Sequence, residues 1–549
     1  MRYIIALFLF ILVSPRLLSQ HSSVSISNEF KVKENGFKDQ TVTHSIYYND
    51  NFYTATNSGT SGAKWLFTKL YDVAYSVTIT KYDKDMNKVA DVELENGKRN
   101  FGPLQPSMLC FSNKLYLAYF KAADKASMSL YLARIDENDL SLGEPLTICK
   151  IQQENVGFSS IMSVIEGGLV YFAISPDNTR LLVACKSAPG KVQTMVLDDG
   201  LHVLKNSTAP VNLQSFDIPS AVLTNDNGAC LVLHSMEGTR ILGIGPDGQK
   251  TETRYNPVGG VAPNNCHAQL ARDGKSIFIF GTSIPGLEPS KIWCGGFMVS
   301  RMDAATFKLS KPLTYAFDAG FIQSAVENGG GIEHKHEYSL FNFTPQLLEM
   351  DNGDIVVIGS PEGTTERVSQ SAPNPMMQNR TETTTTATMH VGPVFVLYPD
   401  TKGKTFEQVI IPRKIEISRA SSGGYGAVQV VAAPGIASAP AGFIATPMGD
   451  DIVIIYNDNT KNLAESVDEK VKVSKWASDL ELGEALISKE KKLEYRKLVS
   501  QIDKYRATYY LGEAVPTNTS SIVFPIGKQG EGFNGNKTIY TNWCFLDIK

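Results

Sequence analysis

One local pattern recurs along this 549-residue chain and constrains its fold more than any other feature. A turn built of Asn, Asp or Gly is followed at once by a short run rich in β-branched and aromatic residues. It reads NDN-FYTATN near residue 50, SN-KLYLAYF near 113, SPDN-TRLLVAC near 177 and NDNG-ACLVLH near 227. It returns as RDG-KSIFIFG near 273, DNG-DIVVIGS near 352, GD-DIVIIYND near 450 and NGN-KTIYTNWCFL near 536. Such runs predict strands, and the residues in front of them predict hairpin turns.

A second pattern follows seven of these eight copies: a strand, an Asp-containing turn and another strand, as in VTITKYDKDMNKVADVEL, TMVLDDGLHVLK and VFVLYPDTKGKTFEQVII. Each unit is then two consecutive hairpins, a four-stranded sheet of roughly 45 to 95 residues with its insertions, the size of a propeller blade. The expected fold is all-β, a β-propeller of eight four-stranded blades, with seven as the alternative count. The last repeat lacks its outer strands, while residues 24–33 (VSISNEFKVK) form an orphan strand before the first. The N-terminal strand is expected to complete the C-terminal blade and close the ring, removing edges that invite aggregation.

ISPDNTRLLVAC, residues 174–185, resembles the Ser-Pro-Asp-Gly-then-strand repeat of TolB-type, WD40-like propellers, and LARDGKSIFIFG resembles it more weakly. That resemblance implies a fold of secreted bacterial propellers and no particular activity. Trp-Asp repeat endings and the Ser-x-Asp-x-Gly-x-Thr-Trp box of sialidase-like propellers are absent from the sequence.

Two segments break the rhythm. Residues 361–392, rich in Thr, Ser, Pro and Asn, hold little to bury and read as a flexible insertion between strands of the sixth blade. The stretch 488–506, SKEKKLEYRKLVSQIDKYR, fits a helix or a long outer strand equally.

The N-terminus, MRYIIALFLFILVSPRLLSQ, carries Arg2, an apolar run from Ile4 to Val13 and a polar end at Ser19 and Gln20. Ten apolar residues reach about half the thickness of a bilayer core, so residues 1–19 read as a signal peptide and 20–549 as one propeller domain. The expected location is periplasmic or secreted, with no stable membrane insertion. Without Arg2 and Arg16 the chain holds 50 basic and 56 acidic residues, without large single-sign blocks, which argues against a nucleic-acid partner. Seven scattered cysteines with no CxxC suit neither a zinc knuckle nor a disulfide framework, and most sit in apolar runs such as LLVAC where a thiol packs as a small hydrophobe.

The sharpest candidate site is NGGGIEHKHEY, residues 328–338, which holds two of the eight histidines. In an extended segment His334 and His336 lie on one face, and with Glu333 or Glu337 nearby they could begin a divalent metal site. HExxH is absent, so a further ligand must come from a distant loop. The plainer reading is a glycine-rich connection with solvated charges. No GxSxG elbow, P-loop or GxGxxG occurs in the expected context. The carboxylate pairs Asp198/Asp199 and Asp450/Asp451 fall in hairpin turns, where Asp is favoured for local hydrogen bonding. The sequence therefore points to a binding or scaffold propeller recognising a protein or glycan, with no cofactor required. The alternative is a hydrolase or lyase on polysaccharide or peptide, metal-assisted through 333–337.

Overall fold

The computed structural model describes residues 22–26, 38–60, 75–84, 87–94, 107–124, 127–152, 170–213, 216–235, 238–255, 261–285, 293–334, 337–370, 383–423, 442–459, 461–463, 471–475, 480–498, 507–509, 515–516, 521–529 and 538–548. The signal-like segment 1–19 lies outside them. Seven four-stranded antiparallel sheets follow one another along the chain, spanning 38–94, 107–152, 170–210, 217–254, 261–316, 346–411 and 443–497. In each, sequence order is spatial order, the up-and-down arrangement of a propeller blade. The protein is an all-β propeller.

Seven of the eight turn-strand runs form the second strand of their sheet, and local chemistry explains why they are so legible. Asn49/Asp50 and Ser112/Asn113 are two-residue turns with positive φ at both positions, closed by the pairs Tyr48↔Asn51 and Phe111↔Lys114. In Ser-Pro-Asp-Asn-Thr, Asp177 Oδ1 accepts from Ser175 Oγ at 2.6 Å, Thr179 Oγ1 at 2.9 Å and the Thr179 amide at 3.2 Å. The backbone closes from Ser175 N to Arg180 O at 3.0 Å, with Asn178 left-handed. Thr224–Gly228 repeats the device, Thr224 Oγ1 donating to Asp226 Oδ1 and Asn227 taking positive φ.

The second strands are continuously apolar because both of their faces are buried. Leu181, Val183 and Cys185 face the second sheet, in a cluster with Phe111, Leu130 and Cys149. Leu182 and Ala184 point the other way, into a cluster with Leu231 and Leu242 of the fourth sheet. Each of six such clusters draws on two consecutive sheets, so the core is a series of wedges between blades. First strands approach one another from sheet to sheet, whereas fourth strands such as 203–210 and 250–254 are largely exposed.

The chain ends meet. Ser22–Ile26 pairs antiparallel with Thr538–Ile548, which pairs in turn with Ser521–Gln529. The eighth run is therefore not a second strand: 507–509 and 515–516 pair with 521–529, and 515–516 approaches the first strand of the first sheet. One N-terminal strand supplies the missing partner, on the far side of the sheet.

Segment 361–392 does insert within the sixth sheet, between strands 355–359 and 394–399, but it holds regular structure. Glu362–Gln370 and Thr383–Val391 pair over nine residues, and Ile415–Gly423 adds a third strand. Threonine is β-branched, so a Thr-rich stretch favours an extended backbone even with little to bury. Its ladder, rather than an apolar core, satisfies the backbone. Within 488–506, Leu493–Lys497 is an outer strand.

Candidate functional site

In an up-and-down sheet, the connections from first to second and from third to fourth strand emerge at one end. Those from second to third strand, and on to the next sheet, emerge at the other. The first-to-second connections are all short turns, from the two residues 49–50 and 449–450 to the six of 175–180. At the opposite end the chain makes long excursions. Between 313–316 and 346–349 come the helix Ala319–Glu327 and the hairpin 331–340. Between 355–359 and 394–399 comes the pair 362–370 and 383–391, and after 406–411 comes 415–423. Elaboration thus gathers at one end, over the fifth, sixth and seventh sheets.

The hairpin answers the question posed by NGGGIEHKHEY. Asp318 caps the helix, its Oδ1 accepting from Phe321 N at 2.7 Å, and Asn328 ends it. Gly329 then takes φ +87°, a left-handed exit. Gly330 lies against the backbone of the insertion: a Cβ added at Gly392 would sit 2.4 Å from Gly330 Cα, and one at Gly331 would sit 2.0 Å from Ser339 O. Gly330 and Gly331 approach neighbouring backbone, and Gly329 lies against the Lys414 side chain.

Gly331–His334 pairs with Glu337–Leu340, Glu333 opposite Tyr338 and His334 opposite Glu337. Directly opposed residues share a face and successive ones alternate, so His334 and Glu337 lie on one face and Glu333 on the other. Both His334 and Glu337 are exposed. His336 lies outside the described residues. No group of three His, Cys, Asp or Glu suited to a metal occurs among the described residues.

Beneath this layer lies a buried polar cluster that sequence reasoning did not single out. Arg413, between strands 406–411 and 415–423, is 0% exposed. Its Nε donates to Gly392 O at 3.1 Å and its Nη2 to Ser360 Oγ at 2.6 Å, while Ser360 Oγ donates to the same Gly392 carbonyl at 3.2 Å. Asp458, 1% exposed at the end of the seventh sheet's second strand, supplies opposite charge. Burial pushes its carboxyl up to about 7, held from going higher by Asn462, by the Asn459 amide and by Arg413. Asp458 Oδ1 accepts from Asn459 N at 2.7 Å and from Asn462 Nδ2 at 2.9 Å. Burial lowers Arg413 to about 10, leaving it charged at neutral pH.

Asn462 extends the network, its Nδ2 donating to Lys472 O at 3.0 Å and its Oδ1 accepting from Lys472 N at 2.7 Å. Two residues on, Ser474 N donates to Lys414 O and Glu416 N to Ser474 O, joining the seventh sheet's excursion to the third strand of the insertion. The cluster fastens three excursions together, and such pairs more often fix one arrangement than add net stability. The signal in the sequence was an arginine beside a lysine within the largely apolar IIPRKIEI and a carboxylate ending the apolar run IVIIYNDN.

Asp198, Asp199 and Asp450 lie in hairpin connections, and Asp451 opens the second strand of the seventh sheet. Asp198 accepts from the Gly200 and His202 amides at 2.9 and 2.8 Å, and Asp199 pairs with Lys114 at 2.6 Å. Asp450 pairs with Lys489 at 2.7 Å, and Asp451 accepts from the Lys489 amide at 3.0 Å. Of the cysteines described, Cys149, Cys185, Cys230, Cys266 and Cys294 are buried and Cys110 is partly buried.

No protein-family model and no curated protein matches the sequence. Among solved structures, the chain is similar to a periplasmic gluconolactonase of Pseudomonas aeruginosa, at 11% identity over 70% of this chain and 88% of that one, TM-score 0.34. It is also similar to a protein from Lactobacillus plantarum at 11% identity over 76% and 90%, TM-score 0.33. An α-L-arabinanase of Penicillium chrysogenum matches at 11% over 61% and 94%, TM-score 0.32. These distant likenesses leave activity open, and the propeller assignment stands on the sheets themselves.

Proposed function

We propose that this chain is an exported binding propeller that recognises a protein or glycan partner, without turnover, through the end carrying the helix, the hairpin and the three-stranded sheet. The observation that carries the reading is the asymmetry of the two ends. First-to-second connections are minimal turns satisfied by their own Asp and Asn side chains, whereas the opposite end holds ordered structure fixed in place by the Arg413 cluster. Structure that a propeller does not need for closure, held rigidly at one end, suits a recognition surface. Val368, 62% exposed on the edge strand 362–370, is a large apolar side chain offered to solvent on that surface.

The reading is tested with a photo-crosslinking side chain at Val368 or, on the turn end, at Asp247, in the cells that make the protein. A defined adduct at position 368, lost when Thr364→Arg is added and absent from position 247, supports it. Adducts confined to 247, or none at either position, refute it. N-terminal sequencing of the extracytoplasmic protein tests export, with Gln20 as the expected first residue. A metal-assisted hydrolase or lyase would need ligands beyond His334 and Glu337, since Glu333 lies on the other face of the hairpin.

A further inference from the structure

The three-stranded sheet at the elaborated end has an edge unlike those of the blades. The fourth strand of every blade also exposes an edge, and each is blunted in one of two ways. Lys88–Leu94, Leu146–Gln152 and Val203–Pro210 meet their third strands with a break in register, and the other four run for only four to six residues. Glu362–Gln370 has neither protection: nine residues pair with 383–391 in unbroken register, and no Pro or Lys interrupts them.

Parity decides which backbone groups this edge offers. Gly392 N donates to Pro361 O at 2.8 Å, so odd-numbered residues of the strand turn their N–H and C=O toward 383–391 and even-numbered ones turn theirs away. Glu362 N, pointing away, donates to Asn342 O at 3.1 Å. Beyond it, the outward amides and carbonyls of Thr364, Glu366 and Val368 have no partner among the described residues. The sheet's other edge, 415–423, faces the seventh sheet's excursion, Glu416 N donating to Ser474 O at 2.8 Å.

The side chains select the occupant. Glu366 lies opposite Ala387 and Arg367 opposite Thr386, so neither charge is answered across the ladder, and neither has an ion pair among the described residues. Both are exposed, on opposite faces of the strand. A second copy paired antiparallel over the whole strand would set Glu366 against Glu366, its midpoint, and like charges directly opposed destabilise. A strand that carries an acid followed by a base meets both charges instead.

We propose that the outer edge of Glu362–Gln370 takes up, antiparallel, an extended segment of a partner protein, with an acidic residue opposite Arg367 and the basic residue that follows it opposite Glu366. The inference rests on the recognition reading above and names its mode. Backbone hydrogen bonds at Thr364, Glu366 and Val368 hold the segment, and the paired charges set its register. β-Branched residues opposite Val368 and Thr364 complete the fit.

The probe is the capped, fluorescently labelled peptide Thr-Val-Glu-Lys-Thr-Val, designed to run opposite Ser369 back to Thr364 and titrated against the full mature chain by fluorescence anisotropy. Saturable binding is expected. Methylating the amide nitrogen of the peptide's lysine, which faces the edge, should weaken binding at least about tenfold, whereas methylating that of the following threonine, which faces away, should change it less than about threefold. Exchanging Glu and Lys in the peptide should weaken binding, and the double variant Glu366→Lys/Arg367→Glu, which keeps the ladder intact, should prefer the exchanged peptide. Glu366→Pro removes an outward amide and no ladder bond, and should abolish binding. Ser418→Pro, the same change on the sheet's other edge, should not. Absence of binding, equal losses from the two methylations, or a charge preference that the double variant does not reverse would overturn the proposal. Self-association of the wild type that Glu366→Pro abolishes would overturn it too, assigning the edge to a second copy. A cellular adduct at position 368 that survives Glu366→Pro would overturn strand addition and leave recognition at this end standing.

Discussion

Replacing Asp458 by Asn is the perturbation whose outcome the structure fixes most closely. Asp458 is 1% exposed and its carboxyl is raised from 3.8 to about 7, chiefly by burial. A carboxyl that holds its proton more tightly in the folded chain than in the unfolded one adds stability below the unfolded value. That contribution falls as pH rises and levels off above the folded value. Between about pH 5 and 8, the two values imply a loss of roughly 2.5 kcal/mol from this group, at 1.36 kcal/mol for each unit of difference. An amide cannot ionise, and its carbonyl oxygen still accepts from the Asn459 amide. Asp458→Asn should therefore differ from wild type by less than about 1 kcal/mol near pH 3, where Asp458 is neutral in both the folded and the unfolded chain. Its stability relative to wild type should rise above that pH and, between pH 5 and pH 8, by roughly 2.5 kcal/mol. Urea unfolding of both proteins at several pH values measures this. Parallel curves would refute the reasoning and show Asp458 ionised throughout, with Arg413 outweighing burial.

Removing the cation should act the other way. Arg413→Met removes one donor each from Ser360 and Gly392 and the opposite charge from Asp458, and should cost about 3–5 kcal/mol by urea unfolding at pH 8. Gly392→Ala drives a Cβ into the Gly330 backbone and should cost about 1–3 kcal/mol. Gly143→Ala meets only ordinary contact at 3.6 Å from Arg134 O and should stay within about 0.5 kcal/mol of wild type. The Tyr495 hydroxyl is buried beside Asp458 with no hydrogen-bond partner among the described residues, so Tyr495→Phe should be neutral or raise the melting temperature. Elemental analysis of the mature protein should find no stoichiometric zinc, iron or manganese that His334→Ala removes. Finding such a metal would refute the structural reading of the 331–340 hairpin.

What was legible in the sequence and what was not divide along a physical line. The second strands are visible because sheets pack on both their faces, which turns LLVAC, IFIFG and IVIIY into unbroken apolar runs. Turns such as Ser175–Arg180 need particular residues for their hydrogen bonds. Information of that kind is local and repeats with every blade. The elaborated end depends on single, non-repeated contacts between segments far apart in the chain: Gly330 on Gly392, Arg413 on Ser360 and Asp458, Ser474 on Lys414. None has a period, and each involves a residue type that reads locally as something else. The three glycines before IEHKHE fit a sharp bend or a close approach, and in the structure Gly330 and Gly331 meet neighbouring backbone while Gly329 lies against the Lys414 side chain. The Thr-rich run 383–388 suggested a loop, although threonine extended and paired on both sides makes the middle strand of a sheet. Asp458 ends an apolar run, and nothing local in the sequence marks it as buried. Only the approach of Arg413, 45 positions earlier in the chain, shows that it is a buried counterion. A sequence pass that asked of every charge in an apolar run which opposite charge could reach it would have paired these two. Such a pass reads buried polar fastenings as pairs rather than as motifs, and in a repeat fold it marks where the repeat is being put to use.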